Sequence, residues 1–343
     1  MKAVFMVGEQ RSGSNLLRLI LNESKEIAAP HPPHILQRLM PVVADKDLSN
    51  ESLFKELIEH VCQLVEANPV QWEGIHFDRV DIFQRCREKS LIAVFGAIMD
   101  VYAEVHKAST WVCKSLQNIR WADQLDEYFK TSKYIYLYRD PRDVSLSFMK
   151  AVVGEKHPYF IASQWNDLQN LCMTHGEKIS KERFFGVCYE ELINNPVRVI
   201  KELCEFLEIE YQESMLVFHA SKEASRAASS SKLWENVTQP IMKKNSNKFL
   251  SEMSEMEIKI IESIAGNTMD ELGYERFKIN RGYELQFSSA DIEKFQAENE
   301  VIKQAVVKNT DPEMKTCAPH DITGQNTGSF FSKKRWLRIR TGP

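Results

Sequence analysis

Ala3-Val4-Phe5-Met6-Val7-Gly8-Glu9-Gln10-Arg11-Ser12-Gly13-Ser14-Asn15 is the stretch on which the fold turns. Five apolar residues run without a break into Gly8, and a helical pattern begins by Ser14, with Leu16, Leu17, Ile20 and Leu21 on one side. The pattern predicts strand, tight loop, helix. A strand that is apolar at every position belongs in a parallel sheet covered on both faces. Gly8 and Gly13 have the GxxxxG spacing of a phosphate-binding loop. Glycines there let backbone N–H groups approach an anion, and the following helix points its positive end at it. Ser14 and Asn15 stand where such loops usually carry a lysine and a hydroxyl, so a β,γ-phosphate and its Mg2+ lose their partners. Arg11 supplies a cation inside the loop instead. The expected ligand is an anion that needs neither γ-phosphate nor metal, set against the plainer reading of an ordinary strand-to-helix turn.

Further strands are predicted at residues 110–113, 134–138 and 184–189, each followed by a helix: one through Ile119, Leu125 and Phe129, one carrying Val144, Leu146, Phe148 and Met149, and one entered at Pro196. Pro141 suits a first helical turn. Amphipathic helices over 51–67 and 92–105 lie between the first strand and the next. Strands alternating with helices imply βαβ units with right-handed crossovers. The expected fold is α/β, a central, mainly parallel sheet flanked by helices. Residues 221–232 turn to Ser, Ala, Lys and Arg and read as a loop able to close over a ligand. A helix over 256–272 stops at Gly273. Past residue 280 come a polar helix (291–308), a segment rich in Thr, Gly, Ser and Asn, and the basic end KKRWLRIR, which reads as a disordered tail. No internal repeat is present.

A second cluster lies in Tyr138-Arg139-Asp140-Pro141-Arg142-Asp143-Val144-Ser145-Leu146-Ser147. Arg139 leaves a strand end and Ser147 lies two turns along the next helix, so together they offer a forked guanidinium and a hydroxyl to one phosphate. The competing reading is a solvated net of ion pairs among Arg139, Asp140, Arg142 and Asp143.

RSGSNLL at 11–17 with YLYRDPRDVSLSF at 136–148 resembles the 5'-phosphosulfate loop and 3'-phosphate motif of sulfotransferases that use 3'-phosphoadenosine 5'-phosphosulfate (PAPS). Supporting echoes are Trp111-Val112-Cys113-Lys114, Val187-Cys188-Tyr189-Glu190-Glu191-Leu192, Phe206-Leu207 and Leu272-Gly273-Tyr274-Glu275. The resemblance covers roughly residues 1–278, the expected catalytic domain of P-loop-like sulfotransferase fold, and leaves 279–343 as a C-terminal helix and tail. It implies that Arg11, Ser12, Gly13, Ser14, Asn15 and Leu16 hold the 5'-phosphosulfate and that Arg139 and Ser147 hold the 3'-phosphate. Lys114 sits where the family keeps a strand-end lysine, and Tyr189 where an aromatic lies near the adenine. The loop from Trp234 to Phe249, with Lys244, Asn245 and Lys248, falls where the family closes over the cofactor, although the family's RKGxxG form is absent and a solvated basic turn is the alternative.

The implied reaction moves a sulfonate to a hydroxyl or amine by in-line attack, with Arg11 and Lys114 stabilising the charge that builds. An acceptor hydroxyl needs a base. Many relatives use a histidine directly after the lysine or a glutamate some way past the loop arginine. Here Ser115 follows the lysine, and the second region, Ala28-Ala29-Pro30-His31-Pro32-Pro33-His34, holds two histidines and no carboxylate. His31 and then His34 are the candidates, an imidazole being suited to proton abstraction near neutrality; His157 and Glu9 come next, and a solvated loop is the alternative for the pair. Trp165 could line an acceptor pocket or belong to the core.

The 343 residues, 43% hydrophobic and 27% charged, suit a globular protein. A formal charge of −4 gives no global attraction to nucleic acid or anionic membrane, so any anion must be held by a local cluster. No stretch resembles a signal peptide or a membrane span, which points to the cytoplasm. Seven dispersed cysteines, at 62, 86, 113, 172, 188, 204 and 317, suit reduced thiols, and Cys317 with His320 lacks the further ligands zinc needs, so no metal is expected. The expected partner is a small-molecule or conjugated acceptor. A P-loop kinase or nucleotide hydrolase is the same-fold alternative, argued against by the missing lysine, and a catalytically silent PAP-binding module is the alternative outside the enzymes.

Overall fold

The computed structural model describes residues 1–230 and 232–309. Five strands form one sheet: β1 (Lys2–Gly8), β2 (Ile27–Ala28), β3 (Thr110–Cys113), β4 (Lys133–Tyr138) and β5 (Phe184–Cys188), in the order β2-β3-β1-β4-β5. Every pairing is parallel, with Val4 opposite Val112 on one side of β1 and Gly8 opposite Leu137 on the other. The helices in chain order are α1 (Ser14–Asn22), α2 (Ile35–Val43), α3 (Glu51–Glu66), α4 (Arg79–Arg85), α5 (Leu91–Val105), α6 (Ala122–Tyr128), α7 (Pro141–Lys150), α8 (Pro158–Lys178), α9 (Tyr189–Asn194), α10 (Pro196–Leu207), α11 (Lys222–Ser230), α12 (Phe249–Glu252), α13 (Glu255–Glu271) and α14 (Ser289–Asn309).

The continuous apolar run of β1 is explained by its place at the centre of the sheet. Phe5 and Val7 face a core shared with α3, α5 and Trp111, whereas Val4 and Met6 face one built with Leu17, Leu21 and Leu203 of α1 and α10. Both faces are covered, so neither set of alternating side chains can be polar. Parallel strands bring the C-terminal ends of β1, β3, β4 and β5 to one edge. After β1 the chain builds β2 and β3 on one side and then crosses to β4 on the other, so this edge contains the topological switch point where open α/β sheets take their ligands.

Residues 221–232 do not form the expected loop: Lys222–Ser230 is α11, with the Ser221 hydroxyl accepting from the Ala224 N–H (3.1 Å) and Ala224 and Ala227 buried. Two small residues one turn apart are a faint apolar signal, and the polar composition masks it. β2, only two residues long, and α8 also lay outside the sequence reading. Past residue 278 the chain stays docked: the Asn299 side-chain carbonyl of α14 accepts from the backbone N–H groups of Lys156 (2.8 Å) and His157 (3.0 Å). Among the described residues no helix is long and apolar enough to cross a membrane, no group of side chains is placed to hold a metal ion, and the six cysteines are unpaired. Cys317, His320 and the KKRWLRIR end lie outside the described residues.

Candidate active site

β1 ends in a loop whose backbone is left-handed at Arg11 (φ 66) and at Gly13 (φ 90). A Cβ on Gly8 would overlap the Leu137 carbonyl oxygen of β4, and one on Gly13 would overlap the Tyr189 ring. Those approaches are why the GxxxxG spacing is needed here. Gly13 precedes α1, which has no side-chain cap, so the N–H groups of its first turn are available to an anion.

The second motif meets this loop directly. Arg11 Nε donates to the Ser147 Oγ at 3.0 Å, and Arg139 Nη1 donates to the Arg11 carbonyl at 2.9 Å, across separations of 136 and 128 residues. Arg139 lies 4.3 Å from the Tyr189 ring centroid, and its Nη2 donates to the Asn245 carbonyl at 2.8 Å. The Asn245 side chain in turn donates to the Tyr189 hydroxyl (2.7 Å). Asp143, 3.8 Å from Arg139, accepts from the N–H groups of Asn247 (2.7 Å) and Phe249 (3.2 Å), and so pins the 245–249 segment across the motif. The solvated ion-pair net is thereby corrected: Arg139, Asp140, Arg142 and Asp143 are all buried. Asp143, which the sequence placed only in an ion-pair net, and Asn245, which it placed in the closing segment, are the residues that tie that segment to Arg139 and Tyr189. The spacing of Asp143 one helical turn after Arg139 was the available signal.

A cavity of about 480 Å³ opens between the two motifs, and Arg11, Gly13, Ser14, Asn15, Leu16, Arg139, Ser147, Tyr189 and Lys248 line it. Ser12 is buried behind the lining, whereas Lys244 is exposed and not part of it. The Ser12 hydroxyl and Arg139 Nε are buried without a hydrogen-bond partner. Orphaned donors around a cationic cavity fit a ligand carrying oxyanions at both ends.

Lys114, at the end of β3, donates to the Asn15 Oδ1 at 2.7 Å. Burial, with Arg18 and Arg11 nearby, brings its ammonium down to about 7. Arg11 is itself lowered by burial and by Arg139. An anion in the cavity would offset these charges. His31 is buried and His34 half-buried, rather than lying in a solvated loop, and both stand within the field of Lys114. Neither His31 ring nitrogen has a hydrogen-bond partner, and its ring packs 4.7 Å from Trp234. Burial, Lys114 and Arg18 hold His31 well below the usual histidine range, and burial and Lys114 hold His34 at about 3, so both are neutral at pH 7.

The other candidates sit elsewhere. His157 caps α8, its Nδ1 accepting from the Tyr159 N–H (3.2 Å), and stacks on Phe295 (4.3 Å), which is a structural role. Glu9 is buried, and its two oxygens accept from the Gln10 N–H (2.6 Å) and the Gln164 amide (2.8 Å). Trp165 belongs to the core with Val144 and Met269, and its indole N–H donates to the Arg139 carbonyl at 3.1 Å.

The profile of the sulfotransferase family matches residues 3–213, which include both motifs, Lys114 and Tyr189. The chain belongs to the sulfotransferase family. Protein-tyrosine sulfotransferase A of Caenorhabditis elegans is 20% identical over 219 residues, 62% of this chain and 51% of that protein. An uncharacterized Aquifex aeolicus protein is 23% identical over 239 residues, 66% of this chain and 28% of that protein. The chain thus spans about half or less of the length of these curated relatives. Among solved structures, a sulfotransferase domain from the curacin biosynthetic pathway superposes with a TM-score of 0.56 at 20% identity, covering 80% of this chain and 98% of that domain. A sulfotransferase domain from the Synechococcus olefin synthase gives 0.51 at 18% identity, covering 77% and 94%. These likenesses establish the sulfotransferase fold, which is the α/β architecture expected from the alternating strands and helices.

Proposed function

We propose that the chain is a PAPS-dependent sulfotransferase that moves a sulfonate to a hydroxyl or amine. The observation that carries this reading is the direct contact of Arg11 with Ser147 and of Arg139 with the Arg11 carbonyl, on one cavity at the sheet's switch point. A nucleotide with a phosphate on each side of its ribose can be gripped at both ends there. The loop of residues 11–16 and the first turn of α1 would take the 5' end, Arg139 and Ser147 the 3'-phosphate. Tyr189 and Lys248 line the space between and beside them. The cofactor supplies an activated sulfonate on a phosphate leaving group.

The chain's residues then have distinct tasks. Lys114, held by Asn15, and Arg11 offset charge on the leaving oxygen, each contributing a few kcal/mol in a site closed to water. His31 accepts the acceptor proton as the S–O bond to the acceptor forms and the bond to PAP breaks. Its neutral state keeps it ready to accept, and the cofactor's negative charge restores basicity that Lys114 and Arg18 remove.

The reading is tested by ligand-induced stabilisation. PAP at roughly 100 times its Kd should add about 2.7 kcal/mol to the unfolding free energy, whereas ATP with Mg2+ should add nothing measurable. Radiolabelled PAPS should then transfer label to members of an acceptor panel. Lys114→Ala should cut turnover by about 100-fold or more with PAP affinity changed far less, the pattern of a group acting in the transition state. Equal losses in both would reduce Lys114 to a cofactor-holding role, and absence of PAP binding would end the assignment.

A further inference from the structure

Arg18 lies on α1 beyond the anion loop and has no exposed surface. Its Nη1 donates to the Ala29 carbonyl (2.9 Å) and to Glu223 Oε1 (2.9 Å), while Nε and Nη2 are buried with no partner. The cofactor reading employs Arg11, Lys114 and Arg139 and leaves Arg18 without a task, although it stands close enough to Lys114 and His31 to bias both. Ala29, whose carbonyl Arg18 holds, lies two residues before the proposed base, so a buried guanidinium with an unfilled edge stands beside it.

Glu223 belongs to α11, which packs against the 3-10 turn Lys232–Thr238, and Trp234 of that turn covers the His31 ring. A nucleophile brought to His31 therefore arrives beside Trp234, and α11 is tied to the same turn. Drawing Glu223 away would leave Arg18 buried and uncompensated, a costly state unless the incoming molecule brings its own negative charge. The open Nε–Nη2 edge has the fork that a carboxylate fills with two parallel hydrogen bonds, and the present occupant of the other edge is itself a carboxylate.

We propose that the sulfonate acceptor carries a carboxylate, which fills the open Nε–Nη2 edge of Arg18, takes over from Glu223 as its counter-ion and places the acceptor's nucleophile at His31. This rests on the sulfotransferase reading above. The full-length chain, saturated with PAP, is titrated calorimetrically with 4-hydroxyphenylacetate and 6-hydroxyhexanoate, each against its carboxamide. At least one acid should bind about ten-fold or more tighter than its amide, a charge-assisted bidentate contact being lost in the amide. Glu223→Gln removes the internal competitor and should tighten the acid a few-fold without changing the amide. Arg18→Gln should bring acid and amide together; where that variant does not fold, Glu223→Gln decides. Acid and amide bound alike, or neither bound, or an acid affinity indifferent to Glu223→Gln, overturns the proposal while PAP binding leaves the cofactor reading standing. Lack of PAP binding sinks the cofactor reading instead, and the acid–amide comparison on the chain alone still decides whether Arg18 takes a carboxylate.

Discussion

Lys114 must be protonated to offset a developing negative charge, yet in the free protein burial and two neighbouring arginines bring it to about 7. On the proposed function the free protein therefore loses the active form as pH rises through neutrality, and PAPS binding would draw it back. The expected profile has kcat/KM for PAPS falling above pH about 7 while kcat holds to higher pH, since the first reports the free protein and the second the complex. Coincident limbs in the two profiles would count against Lys114 as the titrating group. Gly13 makes a second residue-scale test. Gly13→Ala sets a Cβ against the Tyr189 ring at a left-handed position, so it should destabilise the fold by about 1–3 kcal/mol and weaken PAP binding, checked by urea unfolding and by titration. Unchanged PAP affinity would show that the close loop–ring approach is dispensable.

At the scale of elements, α7 holds the two 3'-phosphate candidates, Arg139 just before its start and Ser147 within its later turns. What holds α7 is a buried charge network. Arg142 pairs with Asp140 and with Glu262 of α13, both at 2.6 Å, and Glu262 also accepts from the N–H groups of Phe277 (2.9 Å), Lys278 (2.7 Å) and Ile279 (2.9 Å). Removing Glu262 leaves one guanidinium nitrogen of Arg142 and three backbone donors unsatisfied, with Asp140 alone left to compensate Arg142. Glu262→Ala should therefore lower the unfolding free energy by about 3–5 kcal/mol, measured in urea. A loss below about 1 kcal/mol, the size of an exposed ion pair, would mean that the network relaxes or admits water.

For the whole molecule, Glu9 links pH to stability from beneath the anion loop. Burial brings its carboxyl up from 4.5 to about 7, so between these pH values the folded chain holds a proton that the unfolded chain releases. Its contribution is full below pH 4.5 and is lost as pH rises through about 7. Relative to Glu9→Gln, the natural chain should lose about 3 kcal/mol of stability between those limits, read as the difference of two urea-unfolding series. A constant difference across the range would show that the Glu9 carboxylate is solvated or paired in a way these contacts do not include.

The anion loop and the Arg139–Ser147 motif were legible because each is a local pattern. Gly8 and Gly13 bracket a turn, Arg139 and Ser147 bracket the start of one helix, and periodicity over a few residues reports backbone hydrogen bonding directly. α11 was not legible, because Ala224 and Ala227 bury too little apolar surface to stand out from their serines. His31 and His34 could be named but not placed: only the packed chain sets the His31 ring against Trp234 and both imidazoles within the field of Lys114.

The sequence alone determined a mainly parallel sheet, since one strand is apolar at every position and strands alternate with helices, and parallel strands deliver their following loops to one edge. Only the tertiary structure decided which loops touch. Strand order puts β1 between β3 and β4, so Arg11 meets Ser147 across more than a hundred residues, and packing of α11 gives Arg18 a carboxylate on one edge and nothing on the other. Such contacts depend on the shape of a closed core, which no short window of residues contains.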